Sequence, residues 1–232
     1  MKYLLFFTCL LSLKIAASQR VIDVEKIDRV DISMFNVVAG QPVVNAKFVR
    51  LTDGTPFFKD YWTKGNVVLK NDQITASSAL KLDLLDNELY YLAPNGAEMI
   101  ATTPVKEILL RDTITGASYH FFHASLFPAT IPSKKVWSLE LIEGKASLYQ
   151  SFHKQIQEHK AYGSATVEQR IRTSEEFFIL YNNTILPVKK AKEIPSVLPG
   201  KTKELESFLT TLRGSEAEKL IAVVKYYNSL FQ

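Results

Sequence analysis

Cysteine is almost missing from this sequence of 232 residues: Cys9 is the sole one, and it falls inside the first apolar run. Once that run is set aside, no disulfide, thiolate metal site or thiol nucleophile can be built. Glycine is also sparse, nine in all. No phosphate-cradling loop, dinucleotide fingerprint, Gly-x-Ser-x-Gly elbow or His-Glu-x-x-His helix occurs, so no reaction class has a positive signature. Past residue 18 no hydrophobic stretch is long enough for a membrane helix. Histidine is limited to four positions, and no charge of one sign dominates.

What is present begins with Lys2, the apolar run Tyr3 to Leu13, and Ala16-Ala17-Ser18. This reads as a secretory signal peptide over residues 1–18 with cleavage before Gln19. Phe6-Phe7-Thr8 before Cys9 does not form a lipoprotein box. Without Lys2 and Lys14 the chain holds 26 basic and 24 acidic residues, a net of +2. That balance excludes the field of a nucleic-acid binder. The composition, 47% hydrophobic, 11% aromatic and 22% charged, supplies a full core and rules out global disorder. An exported chain with no disulfide fits a bacterial envelope.

From Val43 to Val188 apolar residues recur mostly at every second position, with turn residues about every ten. Leu80-Lys81-Leu82-Asp83-Leu84 and Trp137-Ser138-Leu139-Glu140-Leu141 predict strands with one buried and one wet face. Leu89-Tyr90-Tyr91-Leu92 and Phe177-Phe178-Ile179-Leu180-Tyr181 are apolar on both faces and predict covered, central strands. Asp53-Gly54, Asn71-Asp72, Asp86-Asn87, Asn95-Gly96 and Glu143-Gly144 supply tight turns. Residues 146–157 read as a strand paired to 137–142, with a short helix as the alternative, and 158–174 carry no clear pattern.

The expected fold is therefore mainly β, an antiparallel barrel or sandwich of hairpins over residues 19–188. A linker with Pro195 and Pro199-Gly200 follows at 189–201, then a C-terminal α-helical hairpin at 202–232. Thr202 is the expected cap of its first helix, with Leu205, Phe208, Leu209 and Leu212 along one side. Ser215 and Glu218 form a capping box that opens the second. These helices either dock on the β body or face a partner.

One resemblance runs over most of the chain. Gly54-Thr55-Pro56-Phe57-Phe58, then Gly65-Asn66-Val67-Val68-Leu69-Lys70-Asn71-Asp72, and later Ser147-Leu148-Tyr149 and Tyr226-Tyr227-Asn228 carry it. The pattern resembles that of exported β-rich Bacteroidetes envelope proteins of unknown function, whose landmarks are Gly-Ser/Thr-Pro-aromatic and Gly-x-Val-x-Leu-Lys ending in Asp-Gly. This chain departs at Phe57, where tyrosine is usual, and at Asn71-Asp72-Gln73, which lacks the turn glycine. The resemblance implies an envelope location and a fold style, and transfers no catalytic residue.

Among candidate sites, Phe57, Phe58, Tyr61 and Trp62 concentrate flat apolar area beside a turn, a composition suited to a glycan, a peptide or an envelope protein. The same rings equally serve to cap one end of the fold. His120 and His123, three apart on a strand, point to opposite faces and cannot share an ion. His153 and His159 likewise diverge, and all four histidines read as strand-edge or surface residues. Asp83, Asp86 and Glu88 cluster at a turn and read as turn-forming acids. No catalytic residue, metal ligand or cofactor is nominated. The expected role is a non-catalytic binding or structural protein of the envelope; the alternative is a hydrolase of envelope or extracellular polymers.

Overall fold

The computed structural model describes residues 33–43, 50–128, 136–160, 162 and 167–231. The expected signal peptide lies outside these residues. A four-residue helix α1 (Met34–Val37) and two short strands, β1 (Gly40–Pro42) and β2 (Leu51–Asp53), open the described chain. Hairpins follow: β3 (Thr63–Leu69), β4 (Ser78–Asp83), β5 (Glu88–Leu92), β6 (Glu98–Ala101), β7 (Val105–Arg111), β8 (Ser118–His123) and β9 (Trp137–Ile142). Two long strands, β10 (Ala146–Lys160) and β11 (Val167–Tyr181), precede β12 (Thr184–Val188). Helices α2 (Ile194–Val197), α3 (Thr202–Thr211) and α4 (Glu216–Ser229) complete it.

All twelve strands belong to one sheet in the order β1-β6-β5-β4-β3-β7-β8-β9-β10-β11-β12, with β2 added to β11. Every pair is antiparallel except β2 with β11, so the sheet is mixed. It does not close: β1 and β12 are its ends, and the architecture is sandwich-like rather than a barrel. The turns follow from residue chemistry. Gly54, Asp72, Asn87 and Gly96 all adopt positive φ, and Asn182-Asn183, at φ 48° and 58°, close the two-residue hairpin between β11 and β12.

Period-two alternation builds the first core. Leu80 and Leu82 of β4, Tyr91 of β5, Ile108 of β7, Phe121 of β8 and Leu139 of β9 share one interior with Met34 and Val38. Beyond β9 the apolar side is covered instead by the C-terminal helices. Leu148, Ile179 and Val188 pack there against Ile194, Leu198, Leu205, Leu220, Val223, Val224 and Tyr227. The opposite side of β10 and β11 carries Tyr149 and Phe178, which Phe127 covers. Successive residues of each strand thus serve different layers, as the pleat requires.

The helices dock on the body. Asn228 fixes α4 by accepting from the Ala146 N–H and donating to the Ala146 carbonyl, both at 2.9 Å. The capping box at Ser215 and Glu218 is formed. Thr202 is not a cap: the cap position is Lys201, and the Thr202 hydroxyl donates to the Pro195 carbonyl at 3.3 Å. Residues 189–201 break the sheet but are folded, because Ile194 and Leu198 are buried in the helical layer.

Candidate functional site

Within the segment 55–62, residues 56–58 run back along the end of β4 as an added backbone partner. The Phe58 N–H donates to the Leu82 carbonyl at 2.8 Å, and the Pro56 carbonyl accepts from the Leu84 N–H at 2.9 Å. Phe57 and Asp83 form an antiparallel bridge. A third tie comes from the long hairpin: the Lys154 ammonium donates to the carbonyls of Thr55 and Phe57 at 2.7 and 2.9 Å. Burial lowers the Lys154 pKa below the ordinary lysine value.

Because the chain is extended at the Phe57 bridge, Phe57 and Phe58 go to opposite sides. Phe58 turns inward, with ring centroids 4.9 Å from both Tyr119 and Phe121 and 5.8 Å from Phe152. Phe57 turns outward, edge-on to Tyr90 at 5.4 Å. The Lys81 ammonium stands 4.1 Å over the Phe57 ring and 5.9 Å from the Trp62 ring, and it lies 3.7 Å from Asp60 Oδ1. Phe57, Lys81 and Trp62 therefore make a half-buried cation and aromatic face on the outside of the sheet.

Tyr61 belongs to neither set. Its hydroxyl donates to Asp112 Oδ2 at 2.6 Å, and Asp112 is a fully buried carboxylate. Asp112 Oδ1 also accepts from the N–H groups of Ile114 and Thr115, and the Lys59 ammonium lies 3.8 Å away. The Tyr61 hydrogen bond, reinforced by those backbone bonds and opposed by burial, holds the Asp112 carboxyl well below its usual range. A carboxyl lowered in the folded state adds stability above its unfolded value, about pH 3.9, and loses it as the pH falls. Tyr61→Phe removes the largest cause, so its acid unfolding midpoint, followed by circular dichroism, moves to higher pH than that of the parent. An unmoved midpoint would remove Asp112 from the acid limb.

A second polar group forms on the outer side of β7 to β10, which sequence reasoning missed. His120 Nε2 is 2.9 Å from Glu107 Oε2, its Nδ1 is 4.0 Å from Glu140 Oε2, and the Tyr149 hydroxyl donates to Glu140 Oε1 at 3.0 Å. His120 is not a surface residue; its side chain is 17% exposed. Burial lowers the His120 pKa against the pull of Glu107, and burial raises those of Glu140 and Tyr149. The ring faces a carboxylate on each nitrogen, so the arrangement holds and orients a proton between acidic side chains. The signal for it lay in strand register alone, since His120 opposes Glu140 and Glu140 opposes Tyr149.

His123 faces other partners, accepting from the Ser125 N–H and standing edge-on to Trp137 at 5.2 Å. With Lys70, Glu88 and Trp137 it borders a cavity of about 460 Å³ that touches none of residues 57, 58, 61 and 62. Asp83, Asp86 and Glu88 bring carboxylate oxygens within 4.8 Å of one another, and Asp83 Oδ1 accepts from the N–H groups of Leu85 and Asp86, which shapes the turn. His153 and His159 both lie on β10, with His159 exposed.

Among the described residues no helix is long and apolar enough to cross a membrane. Comparison with protein-family models, curated proteins and solved structures found no match.

Proposed function

We propose that this protein is an exported, non-catalytic binding component of a bacterial cell envelope, taking a glycan or envelope protein on the face made by Phe57, Lys81 and Trp62. The observation that carries the reading is the rigidity of that face. Two backbone bonds to β4 and two from Lys154 hold the segment, so the rings are set before any ligand arrives. Flat apolar area beside a cation and the Asp60 carboxylate suits a sugar ring or an extended peptide.

The signal-peptide pattern of residues 1–18 supports an envelope setting and makes a simple check available: the exported chain should begin at Gln19. Binding is tested by co-sedimentation of the purified protein with isolated bacterial envelope and with purified peptidoglycan. Each aromatic contact contributes about 0.5–1.5 kcal/mol, so Phe57→Ala combined with Trp62→Ala is expected to weaken retention roughly tenfold. Its melting transition should shift by only a few degrees. Undiminished retention by a folded double variant would overturn the reading.

The hydrolase alternative draws on Glu107, His120, Glu140 and Tyr149. That cluster satisfies its own nitrogens and oxygens, so the binding reading takes precedence.

A further inference from the structure

The most unusual edge in the sheet is on β10. Its pairing with β9 stops at Ser151, yet the strand continues to Lys160 with only β11 beside it. Among the described residues no strand pairs with its other side, so residues 152–160 offer an open row of backbone groups. The ends of the sheet are treated differently: β1 contains Pro42 and β12 contains Pro187, neither of which can donate to an added strand. No proline interrupts β10.

We propose that this edge pairs antiparallel with the same edge of a second copy, about a two-fold axis at Ile156, to give a continuous sheet across a homodimer. The dyad stands perpendicular to the sheet, so opposed residues must share a face, and only registers shifted by whole pairs are allowed. Centred on Ile156, the edge is complementary to itself. Ile156 meets Ile156, Gln155 meets Gln157, and Lys154 meets Glu158 of the second copy. A register shifted one way sets Lys154 against Lys160, and shifted the other way sets Ile156 against Lys154; both lose the match.

The apolar row gives a second reason. Ile156 is 41% exposed, while Ile171, its partner on β11, is buried at 4%. Pairing places the two Ile156 side chains together and extends that row across four strands. Residues 155 and 157–160 are exposed as well, so the copy meets side chains that the monomer does not use for its core.

Sedimentation equilibrium of the full chain tests this. The parent protein is expected to dimerise in the micromolar range. Gln155→Glu with Gln157→Glu opposes like charges twice across the axis, and should weaken the dimer at least tenfold. Gln155→Glu with Gln157→Lys opposes unlike charges and should leave it intact. Both pairs alter the same exposed positions, so melting curves should coincide. A parent chain that stays monomeric at about 100 µM would assign the edge to a strand of some other protein and overturn self-pairing. Equal association of both double variants would also overturn it, because the dimer would then use another surface.

Discussion

A chain ended after Pro199 is expected to lose solubility. Truncation removes Leu205, Leu220, Val223, Val224 and Tyr227, all of which are fully buried. Burying a large apolar side chain contributes about 1.5–3 kcal/mol, so five of them represent roughly 10 kcal/mol. That equals the whole net stability of an ordinary domain, about 5–15 kcal/mol. The cut also strips the cover from Leu148, Ile179, Val188 and Leu198, leaving a greasy patch on β10 to β12. It further deprives the Ala146 N–H and carbonyl of Asn228. Soluble yield and gel filtration give the readout. A soluble, cooperatively melting fragment would show that α3 and α4 are an appendage held for a partner.

How far the sequence foretold this arrangement differs from element to element. Leu80, Leu82 and Leu84 alternate as expected and are all buried. Their neighbours do not face water, however: Asp83 is fully buried and Lys81 is partly covered. The Phe57 ring, set beside the end of β4 by its bridge to Asp83, stands 4.1 Å from the Lys81 ammonium, and the Asp83 carboxylate turns to the Leu85 and Asp86 N–H groups. Alternation reports the chemistry of a face and not what later covers it. Leu89 to Leu92 and Phe177 to Tyr181 do occupy inner strands, β5 between β6 and β4, and β11 between β10 and β12.

The long hairpin was only half legible. Residues 146–152 carry the apolar pattern because they feed three apolar clusters, whereas 153–160 and 167–176 have polar residues on both faces. There the strands are held by their mutual ladder, which runs unbroken from Ala146 opposite Tyr181 to Lys160 opposite Val167. Hydrogen bonding between backbones leaves no periodicity to read. The group around His120 was hidden for a related reason, since Glu107, His120 and Glu140 stand far apart in the chain and meet only through the register of three strands. Asn228 was visible as part of the Tyr226-Tyr227-Asn228 landmark. Its role was not, because it bonds backbone 82 positions away.

The second large effect separates the four aromatic candidates from one another. Phe58→Ala is expected to destabilise the protein by about 2–3 kcal/mol, below most fully buried core aromatics because the ring packs against the core but is only partly buried. Trp62→Ala should cost under about 1 kcal/mol, as for a residue outside the core. The difference follows from the bridge between Phe57 and Asp83: once the segment pairs with β4, adjacent residues must leave on opposite sides. Phe58 therefore enters the space bounded by Tyr119, Phe121 and Phe152, and Phe57 stays outside with Tyr90 and Lys81. Urea unfolding of the single variants gives the comparison, with the midpoint of Phe58→Ala far below that of Trp62→Ala. A reversed order would mean that Trp62 is the anchor and Phe58 is free. The face assigned to ligand binding would then be part of the core, and the proposed function would lose its surface.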